Sequence, residues 1–380
     1  MTNVKKLGLY IHIPFCRAKC NYCDFNSYPG KEDLMESYFH ALEAEIGLCA
    51  PEAGDSEFGT VFIGGGTPTL AGPALIYRLM NACRSRLNIS GDAEISMEAN
   101  PGTLTFEKLA GYRACGANRL SVGLQAWQDG LLKELGRIHT SGEFEENFRL
   151  ARKAGFRNIN VDLIFGIPGQ KINEWSETVS KVVGLGPEHI SCYSLKIEEG
   201  TVFGDRLESG LMEEPDDELD RKMYWYAVNR LEKSGYRHYE ISNFAKPGME
   251  CRHNLVYWTT GEYLGIGAGA HSFMNGVRFN NVYGVEEYID SIGKGKKPRE
   301  NEQPIGRTES MSEYMILGLR LVDGIRAGDF KARFGEDPDA VYGEKLAALE
   351  RKQLLERDGD RIRLTAVGLD FGNTVFMEFL

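Results

Sequence analysis

The sequence predicts an α/β protein built around a parallel sheet, and three observations support that prediction. Short apolar runs alternate with longer amphipathic runs through the first half of the chain. Six strand–helix units in series imply parallel strands, because each crossover returns the next strand to the side of the previous one. With 380 residues, the chain is long enough for one large domain and a smaller one. Six units fit either a doubly wound sheet or a partial (β/α)6 barrel, and both place functional groups at the carboxyl ends of the strands.

The predicted strands and helices alternate as far as residue 195. Strands are expected at residues 7–13, 60–63, 94–98, 119–123, 158–163 and 189–195. Helices are expected near residues 34–48, 73–87, 106–114, 144–154 and 174–183.

The first predicted strand leads into three cysteines, Cys16, Cys20 and Cys23. Thiolates this close together favour a soft metal centre such as an iron–sulfur cluster, zinc or copper(I). A four-iron cluster normally takes four cysteines, and no fourth one is near, so one iron would be open to a non-protein ligand. Zinc is the alternative, although structural zinc sites usually use two separated ligand pairs. A disulfide is a weaker alternative because the five other cysteines are scattered singly, as in a reducing compartment.

Other strand ends carry glycine or polar side chains. These residues are Gly64, Gly65, Gly66 and Thr67 after the second strand, Glu98 at the third, Gln125 and then Arg137 after the fourth, and Asp162 in the fifth. Taken singly, each is more often a turn glycine or a local hydrogen-bonding group. Five consecutive strands that deliver such groups at one end predict one rim of a barrel.

The cysteine spacing resembles that of the radical S-adenosylmethionine superfamily. More narrowly, the chain resembles the oxygen-independent coproporphyrinogen III oxidase-like proteins. The matching segments are residues 10–16 (YIHIPFC), 64–69 (GGGTPT), 121–125 (SVGLQ) and 162–168 (DLIFGIP). The resemblance implies a partial (β/α)6 barrel whose three cysteines hold a [4Fe-4S] cluster. The open iron of that cluster would take the amino and carboxylate groups of S-adenosylmethionine.

The resemblance also implies a set of cofactor contacts. They are Tyr10, Tyr22, Gly65, Gly66, Thr67, Glu98, Gln125, Arg137 and Asp162. The two tyrosines would flank the cluster and the adenosine, the glycine run and its threonine would meet the methionine amino group, and Glu98 would offer a carboxylate. The last three match positions that contact a second S-adenosylmethionine in the oxidases.

Two departures favour the heme chaperone branch of this group over the oxidases. The oxidases carry a further cysteine two residues after the third, where this chain has Phe25. They also carry an extended segment before the first strand, which here begins at residue 7. We therefore expect a heme chaperone that passes heme to acceptor proteins, with coproporphyrinogen III oxidase as the alternative. Whether the chain is an enzyme stays open, and a radical enzyme acting on RNA is a third and weaker hypothesis.

The segment Cys251-Arg252-His253-Asn254-Leu255-Val256-Tyr257-Trp258 resembles the heme-associated motif of the chaperone branch. A neutral imidazole is a common axial ligand of heme iron, which makes His253 the expected ligand. Cys251 and His271 are nearby alternatives. The competing interpretation, which spacing alone favours, is a core histidine that packs beside a strand.

The C-terminal region indicates a separate small domain. Helices are expected at residues 307–321, 328–334 and 338–352, and a hairpin with an Asp358-Gly359 turn between residues 354–356 and 361–364. Thr365 is expected to cap a last helix. Together these elements suggest a winged-helix-like α+β domain. The expected division is a barrel over residues 1–235, an extension and linker over 236–305, and the C-terminal domain over 306–380.

Charge and composition limit the partners. The net charge of −11 argues against nucleic acid, which binds basic surfaces. We expect a cytoplasmic protein, because no signal peptide precedes the first strand and no apolar run approaches membrane-spanning length. The expected partners are heme and heme-acceptor proteins, with membrane association only through a partner. A homodimer is left open.

Replacing His253 with Ala is expected to weaken heme binding and to leave the cluster intact, because the change removes an imidazole and no cysteine. Heme titration at the Soret band, with iron and sulfide content as the control, measures both properties. An unchanged Soret spectrum and affinity would remove His253 from the heme site.

Overall fold

Twelve strands join into one mixed sheet in the computed structural model, which describes residues 4–380. In chain order they are β1 (Lys6–Ile13), β2 (Glu57–Gly65), β3 (Asn88–Ala99), β4 (Arg119–Gln125), β5 (Asn158–Phe165), β6 (His189–Ser194), β7 (Arg237–Glu240), β8 (Asn243–Ala245), β9 (Tyr263–Ile266), β10 (His271–Met274), β11 (Val277–Asn281) and β12 (Arg299–Pro304). Across the sheet the order is β12-β11-β10-β9-β1-β2-β3-β4-β5-β6-β8-β7. The sheet is therefore open, with β12 and β7 at its edges within the described residues.

The six predicted strands form the centre of this sheet and are all parallel, as expected. The helices between or beside them are α1 (Met35–Ala53), α2 (Pro73–Arg86), α3 (Phe106–Ala114), α4 (Asp129–Glu134), α5 (Ser141–Lys153), α6 (Ile172–Leu185), α7 (Val202–Glu208) and α8 (Asp217–Glu232). The α/β prediction and its partial barrel are confirmed. Helices α4, α7 and α8 were not predicted from the sequence.

The two faces of the central strands differ in chemistry. In β5, Ile159, Val161 and Leu163 are fully buried in the apolar core. Asn160 and Asp162 alternate with them and line a cavity on the opposite face. A strand turns successive side chains to opposite faces, so one strand serves both an apolar layer under the helices and a polar lumen. We call this inner space the lumen.

Short strands outside the predicted six extend both edges of the sheet. At one edge, β9 pairs in parallel with β1, and β10 to β12 follow as antiparallel strands. At the other edge, β8 and β7 pair in antiparallel fashion beyond β6. Two helices accompany them, α9 (Arg252–Trp258) and α10 (Val285–Gly293). The chain thus returns across the barrel before it reaches the C-terminal elements.

The C-terminal elements have their own apolar core. They are α11 (Arg307–Gly318), α12 (Ala327–Phe334), α13 (Pro338–Arg351), α14 (Ala366–Asp370) and α15 (Gly372–Met377), with strands β13 (Ile325–Arg326), β14 (Leu355–Asp358) and β15 (Arg361–Leu364). The predicted hairpin is present, and Thr365 caps α14 by accepting a hydrogen bond from the Gly368 amide. The core of this unit runs from Met311 to Phe379, whereas the core of the barrel runs from Leu7 to Ile292. No helix among residues 4–380 has the length and apolar character required to cross a bilayer.

A buried carboxyl joins α1 to the returning strands. Glu45 is 1% exposed and accepts hydrogen bonds from the Gly267 amide (2.8 Å), the Asn281 side chain (2.6 Å) and the Tyr288 hydroxyl (2.5 Å). Burial raises the pKa of Glu45 to about 7, and the three donors oppose that rise. Donors that converge on one buried acceptor are costly to leave unpaired.

We expect Glu45→Gln to lower the free energy of unfolding by about 1–3 kcal/mol, because the new amide turns an N–H₂ group toward these donors. Urea unfolding at pH 8, where the wild-type carboxyl is ionised, measures the change. Glu43→Gln is the matched control: Glu43 lies on the same helix in a partly exposed ion pair with Arg78, and its loss should cost less than about 1 kcal/mol. Equal unfolding midpoints for the two variants would contradict the role assigned to Glu45.

Candidate functional site

The three cysteines lie in a loop at the carboxyl end of β1. Cys16 belongs to a two-residue strand, Phe15–Cys16, that pairs with Tyr28–Pro29. The Cys23 amide donates to the Cys20 carbonyl at 3.1 Å, which folds the second and third cysteines into a turn. All three thiols are free, and only Cys16 is buried. The loop therefore presents three thiols at the end of the sheet where the sequence predicts function.

Each thiol lies next to a polar side chain. The Cys16 Sγ is 3.5 Å from the Thr67 hydroxyl, and the Cys23 Sγ is 3.9 Å from the Ser27 hydroxyl. The Cys20 Sγ accepts a hydrogen bond from the Arg137 Nη1 at 3.6 Å. Burial raises the pKa of the Cys16 and Cys23 thiols. Cluster ligation removes the thiol protons, and nearby donors to sulfur suit the resulting thiolates.

Across residues 4–380, no three His, Cys, Asp or Glu side chains lie close enough together to hold one metal ion. A four-iron cluster binds each cysteine through a different iron, so its thiolates stand farther apart than the ligands of zinc. The donor set, three thiols with hydroxyl and guanidinium neighbours, is compatible with a [4Fe-4S] cluster.

The glycine run after β2 packs directly against the cysteine loop. The amides of Gly66 and Thr67 donate to the carbonyls of Ile13 (2.9 Å) and Phe15 (2.8 Å). A Cβ on Gly66 would lie 2.7 Å from the Phe15 carbonyl oxygen and 3.0 Å from the Cys16 Sγ. Gly65 has φ +116, and a Cβ there would lie 2.6 Å from the His12 ring. Glycine is thus required for the close approach, and the backbone of the run stays open to a ligand.

Arg137 ties the cysteine loop to the ends of two further strands. Its Nη2 donates to the Asn100 side chain at 2.8 Å and to the Gly123 carbonyl at 2.9 Å. Gln125 lies beside it at an irregularity in the β4–β5 pairing and has φ +72, a conformation that non-glycine residues rarely adopt. Such backbone outliers concentrate at functional sites. Tyr22 is partly buried close to Arg137; burial raises the pKa of its hydroxyl, and the Arg137 charge opposes the rise.

The remaining predicted residues surround the lumen. A cavity of about 200 Å³ there is lined by Tyr10, Phe62, Glu98, Arg119, Ser121, Asn160, Asp162, Ser191, Tyr193, His253, Asn254 and Tyr257. The structure thus divides the predicted residues into two groups. Thr67, Gly65, Gly66, Gln125, Arg137 and Tyr22 lie around the cysteine loop, and Tyr10, Glu98, Asp162 and His253 line the cavity.

Two acids share the lumen. The Glu98 carboxylate accepts a hydrogen bond from the Gly65 amide at 3.0 Å, and Asp162 accepts from Ser121 (2.9 Å) and Asn160 (2.8 Å). Burial, and then the negative charge of Asp162, raises the pKa of Glu98 to about 7. Burial also raises the pKa of Asp162, against the hydrogen bonds from its neighbours. Near neutral pH the two carboxyls therefore share fewer than two negative charges.

His253 lies on α9 and is buried beside β2, which agrees with the interpretation as a core histidine that packs beside a strand. It is 1% exposed, with Nδ1 2.8 Å from the Thr60 hydroxyl and Nε2 2.8 Å from the Tyr257 hydroxyl. Burial, and then the Arg119 charge, lowers the pKa of His253 to about 3, so the ring is neutral. Both ring nitrogens are engaged, as in a core histidine. A role as heme ligand stays a prediction, and it requires one of these two bonds to break.

Cys251 and His271, the alternative heme ligands, differ in solvent exposure. Cys251 is buried at the amino end of α9, and Glu94 accepts hydrogen bonds from its Sγ (3.6 Å) and from the His253 amide (3.2 Å). His271, in β10, is exposed, and its Nε2 is 3.4 Å from the Tyr283 hydroxyl. It does not line the lumen cavity.

Several residues of the site were not predicted from the sequence. Asn100, which follows β3, binds Arg137, and Arg119 contributes a guanidinium to the cavity. The one sequence feature that could have pointed to Arg119 is its position as the first residue of a predicted strand that is otherwise mostly apolar. Contacts between residues 37 positions apart, such as Asn100 and Arg137, leave no trace in local spacing.

Comparisons with known proteins agree on one superfamily. Residues 10–182 match the model described as Radical SAM superfamily, and residues 305–371 match the HemN C-terminal domain. The chain is 39% identical to the heme chaperone HemW of Bacillus subtilis, with 98% of each chain covered. It is 35% identical to heme chaperone HemW of Escherichia coli, with 100% of each covered.

A solved structure shows the same fold. Coproporphyrinogen III oxidase (HemN) from Escherichia coli, described as a radical SAM enzyme, matches with a TM-score of 0.87 and 24% sequence identity. The match covers 99% of this chain and 90% of that one. It confirms the α/β architecture from end to end.

The raised pKa of Glu98 predicts a pH dependence of stability. Its folded pKa of about 7 lies above the value of 4.5 expected when exposed, so the folded chain holds an extra proton between these values. That contribution is complete below about pH 4.5 and is lost as the pH rises through 7. We expect the free energy of unfolding of the metal-free wild type to fall relative to Glu98→Gln by about 1–2 kcal/mol between pH 5 and 8.

Urea unfolding at four pH values in this range measures the difference. Glu146→Gln, which changes an exposed carboxylate on α5, is the control and should track the wild type. Parallel pH profiles for wild type and Glu98→Gln would show that Glu98 is an ordinary solvated acid.

Proposed function

This chain belongs to the radical SAM superfamily and to the family of the proteins named heme chaperone HemW, and from that membership we propose that it is a heme chaperone. It carries a [4Fe-4S] cluster on Cys16, Cys20 and Cys23, binds S-adenosylmethionine and delivers heme to acceptor proteins. The observation that carries the proposal is 35–39% sequence identity to heme chaperones over essentially the whole of each chain.

Phe25 supports the chaperone over the oxidase. The oxidases that this chain resembles have a cysteine at this position, whereas here the side chain is a phenylalanine that is 64% exposed. It lies at the end of the cysteine loop, where Asn26 donates to the carbonyls of Ala268 (3.0 Å) and Tyr283 (3.1 Å). The position next to the cluster is therefore apolar and accessible, and it has no thiol.

The residues around the loop have distinct tasks in this proposal. Cys16, Cys20 and Cys23 would hold the cluster, whose open iron would supply a site for the amino and carboxylate groups of S-adenosylmethionine. Arg137 orients the loop through Cys20 and stabilises negative charge on that sulfur. The glycine run offers backbone groups to the methionine ammonium, and Glu98 offers it a carboxylate.

Residues from both the cysteine loop and the cavity extend the proposal to further ligands. Gln125, Arg137 and Asp162 are proposed to contact a second S-adenosylmethionine, as their counterparts do in the oxidases. Tyr10 and Tyr22 are proposed to flank the cofactor. Tyr10 is held by a hydrogen bond of 2.9 Å between its hydroxyl and the His12 Nδ1.

Heme binding at His253 requires a rearrangement. The cavity of about 200 Å³ beside it is smaller than the roughly 300–1,000 Å³ of pockets that enclose drug-sized ligands. A macrocycle therefore reaches His253 only after α9 shifts away from the lumen, and Glu94 holds the amino end of that helix. The exposed His271 needs no such opening.

Coproporphyrinogen III oxidase is the second candidate, because the fold is that of the Escherichia coli oxidase along the entire chain. The two functions predict different products. The oxidase decarboxylates its substrate oxidatively, whereas the chaperone takes up heme and releases it unchanged.

We expect the protein with reconstituted cluster to take up about one heme per chain and pass it to an apo-acceptor, without forming protoporphyrinogen from coproporphyrinogen III. The assay is anaerobic, with reductant and S-adenosylmethionine, and pigments are separated by chromatography. Cys20→Ser should lose the cluster absorbance near 400 nm, measured before heme is added, while the control Cys83→Ser, which alters a buried cysteine outside the loop, should keep it. Turnover of coproporphyrinogen III by the wild type would establish the oxidase instead.

A further inference from the structure

One buried cation in the lumen lacks a partner. Arg119, at the start of β4, is only 2% exposed, and its Nε has no hydrogen-bond partner within residues 4–380. No carboxylate oxygen of the described chain lies within 4.0 Å of its guanidinium nitrogens. Arg137 offers a contrast, because its terminal nitrogens bind Asn100, Gly123 and Cys20. A buried charge without a partner is costly, and proteins almost always pair one.

The surroundings of Arg119 act on it only at a distance. Cys251, Glu94, Tyr239 and Asp162 influence its charge through space, without a direct bond. Glu94, the carboxylate that influences the Arg119 charge most strongly, already accepts from the amides of Arg252 (3.1 Å) and His253 (3.2 Å). The guanidinium instead lines the cavity of about 200 Å³, and it is the only Lys or Arg side chain there.

We propose that Arg119 binds the carboxylate of a ligand that enters the lumen from the cysteine-loop end. A guanidinium presents parallel N–H donors that match the two oxygens of a carboxylate. The register places Arg119 beside Ser96, two residues deeper along the sheet than Glu98 and Ser121, or roughly 7 Å at the usual rise of a strand. A carboxylate on a short arm spans that depth.

The two acids of the lumen favour a carboxylate over a phosphate. Glu98 and Asp162 line the same cavity, and a dianion would meet their repulsion. Because burial, and then the charge of Asp162, raises the pKa of Glu98 to about 7, Glu98 can donate its proton to an incoming carboxylate, and the pair then shares one charge opposite Arg119. The aromatic rings of Tyr10, Phe62 and Tyr257 complete the walls and suit an aliphatic arm.

Two ligands of the proposed function carry such an arm, and the inference depends on that function only for its choice of probes. The second S-adenosylmethionine of the proposed function has a methionyl carboxylate that the open iron does not take, and heme has propionates. The cavity has room for either arm and not for the whole macrocycle. Each ligand has a counterpart without the acid: decarboxylated S-adenosylmethionine and heme dimethyl ester.

The test measures the affinity of the cluster-loaded protein for these four compounds under anaerobic conditions. Arg119→Gln should weaken binding of at least one of the two acids by about 10- to 100-fold, the range expected for hydrogen bonds between charged groups. The counterpart without that acid should bind the variant and the wild type equally. Arg119→Lys keeps the charge but loses the paired donors, so its affinity for the acid should lie between those of the wild type and Arg119→Gln. The compound affected identifies the source of the carboxylate.

The free energy of unfolding distinguishes a ligand-binding role of Arg119 from a purely structural one. Arg119→Gln removes a cation without a bonded partner, so the ligand-free variant should be as stable as the wild type or more so. Arg152→Gln, the control, breaks a bonded pair with Glu188 outside the lumen and should lower stability without changing any affinity.

Each outcome is decisive. Wild-type affinity of Arg119→Gln for both acids would overturn the proposal, as would equal binding of acid and acid-free compounds by the wild type, a comparison that needs no variant. If the wild type bound neither heme nor its ester, the heme function would fail, while the pair of adenosyl compounds would still test Arg119.

Discussion

The close packing of the glycine run on the cysteine loop is the constraint on which the rest of the site depends. Gly66 leaves no room for a Cβ between itself and the Phe15 carbonyl and Cys16 Sγ. Its amide and that of Thr67 continue the ladder between β1 and β2 past the ends of the strands. The loop that carries the thiols is thus an extension of the sheet, held in place by backbone hydrogen bonds. A side chain at position 66 would push the loop away and, with it, the first thiol.

The extension of the sheet into the cysteine loop also fixes the positions of polar groups farther from the thiols. Because β2 ends in contact with the loop, the Gly65 amide is free to point at Glu98 on the neighbouring strand, at 3.0 Å. Arg137 then joins the Cys20 thiol to Asn100 and Gly123, at the ends of β3 and β4. Hydrogen bonds therefore connect the ends of three neighbouring strands, β2, β3 and β4, to the cysteine loop and its surroundings. The rim is a connected network, and a shift in any one strand end would alter the surroundings of a thiol.

Local patterns predicted what depends on local chemistry. The alternation of apolar residues identified all six central strands, and the threonine at residue 365 marked the start of a helix. The spacing of Cys16, Cys20 and Cys23 predicted a metal-binding loop, and the structure places the three cysteines in one loop at the carboxyl end of β1. What escaped prediction depends on distant pairing: the seven-residue helix α9 is too short to show a helical period, and strands β7 to β12 are stabilised by neighbours such as β1 and β6. Arg119 was overlooked because a charge at the start of a strand is usually solvated, and only the folded sheet turns it inward.

The lumen has an order of charge along its depth that follows from strand register. Asp162 pairs in register with Gly123, Glu98 with Ser121, and Ser96 with Arg119, so the acids lie nearer to the cysteine loop than the cation. An anion that approaches from the loop meets two carboxyls before it meets the guanidinium. Because the pKa of Glu98 is raised to about 7, the two carboxyls repel an anion less than two fully ionised acids would, and the proton of Glu98 can be donated. The apolar face of the same strands excludes water from the other side, which strengthens every one of these interactions. The electrostatics of the lumen thus depend on the apolar core behind it. If water reached the sheet from that side, both acids would be ionised and would repel an anion before it reached Arg119.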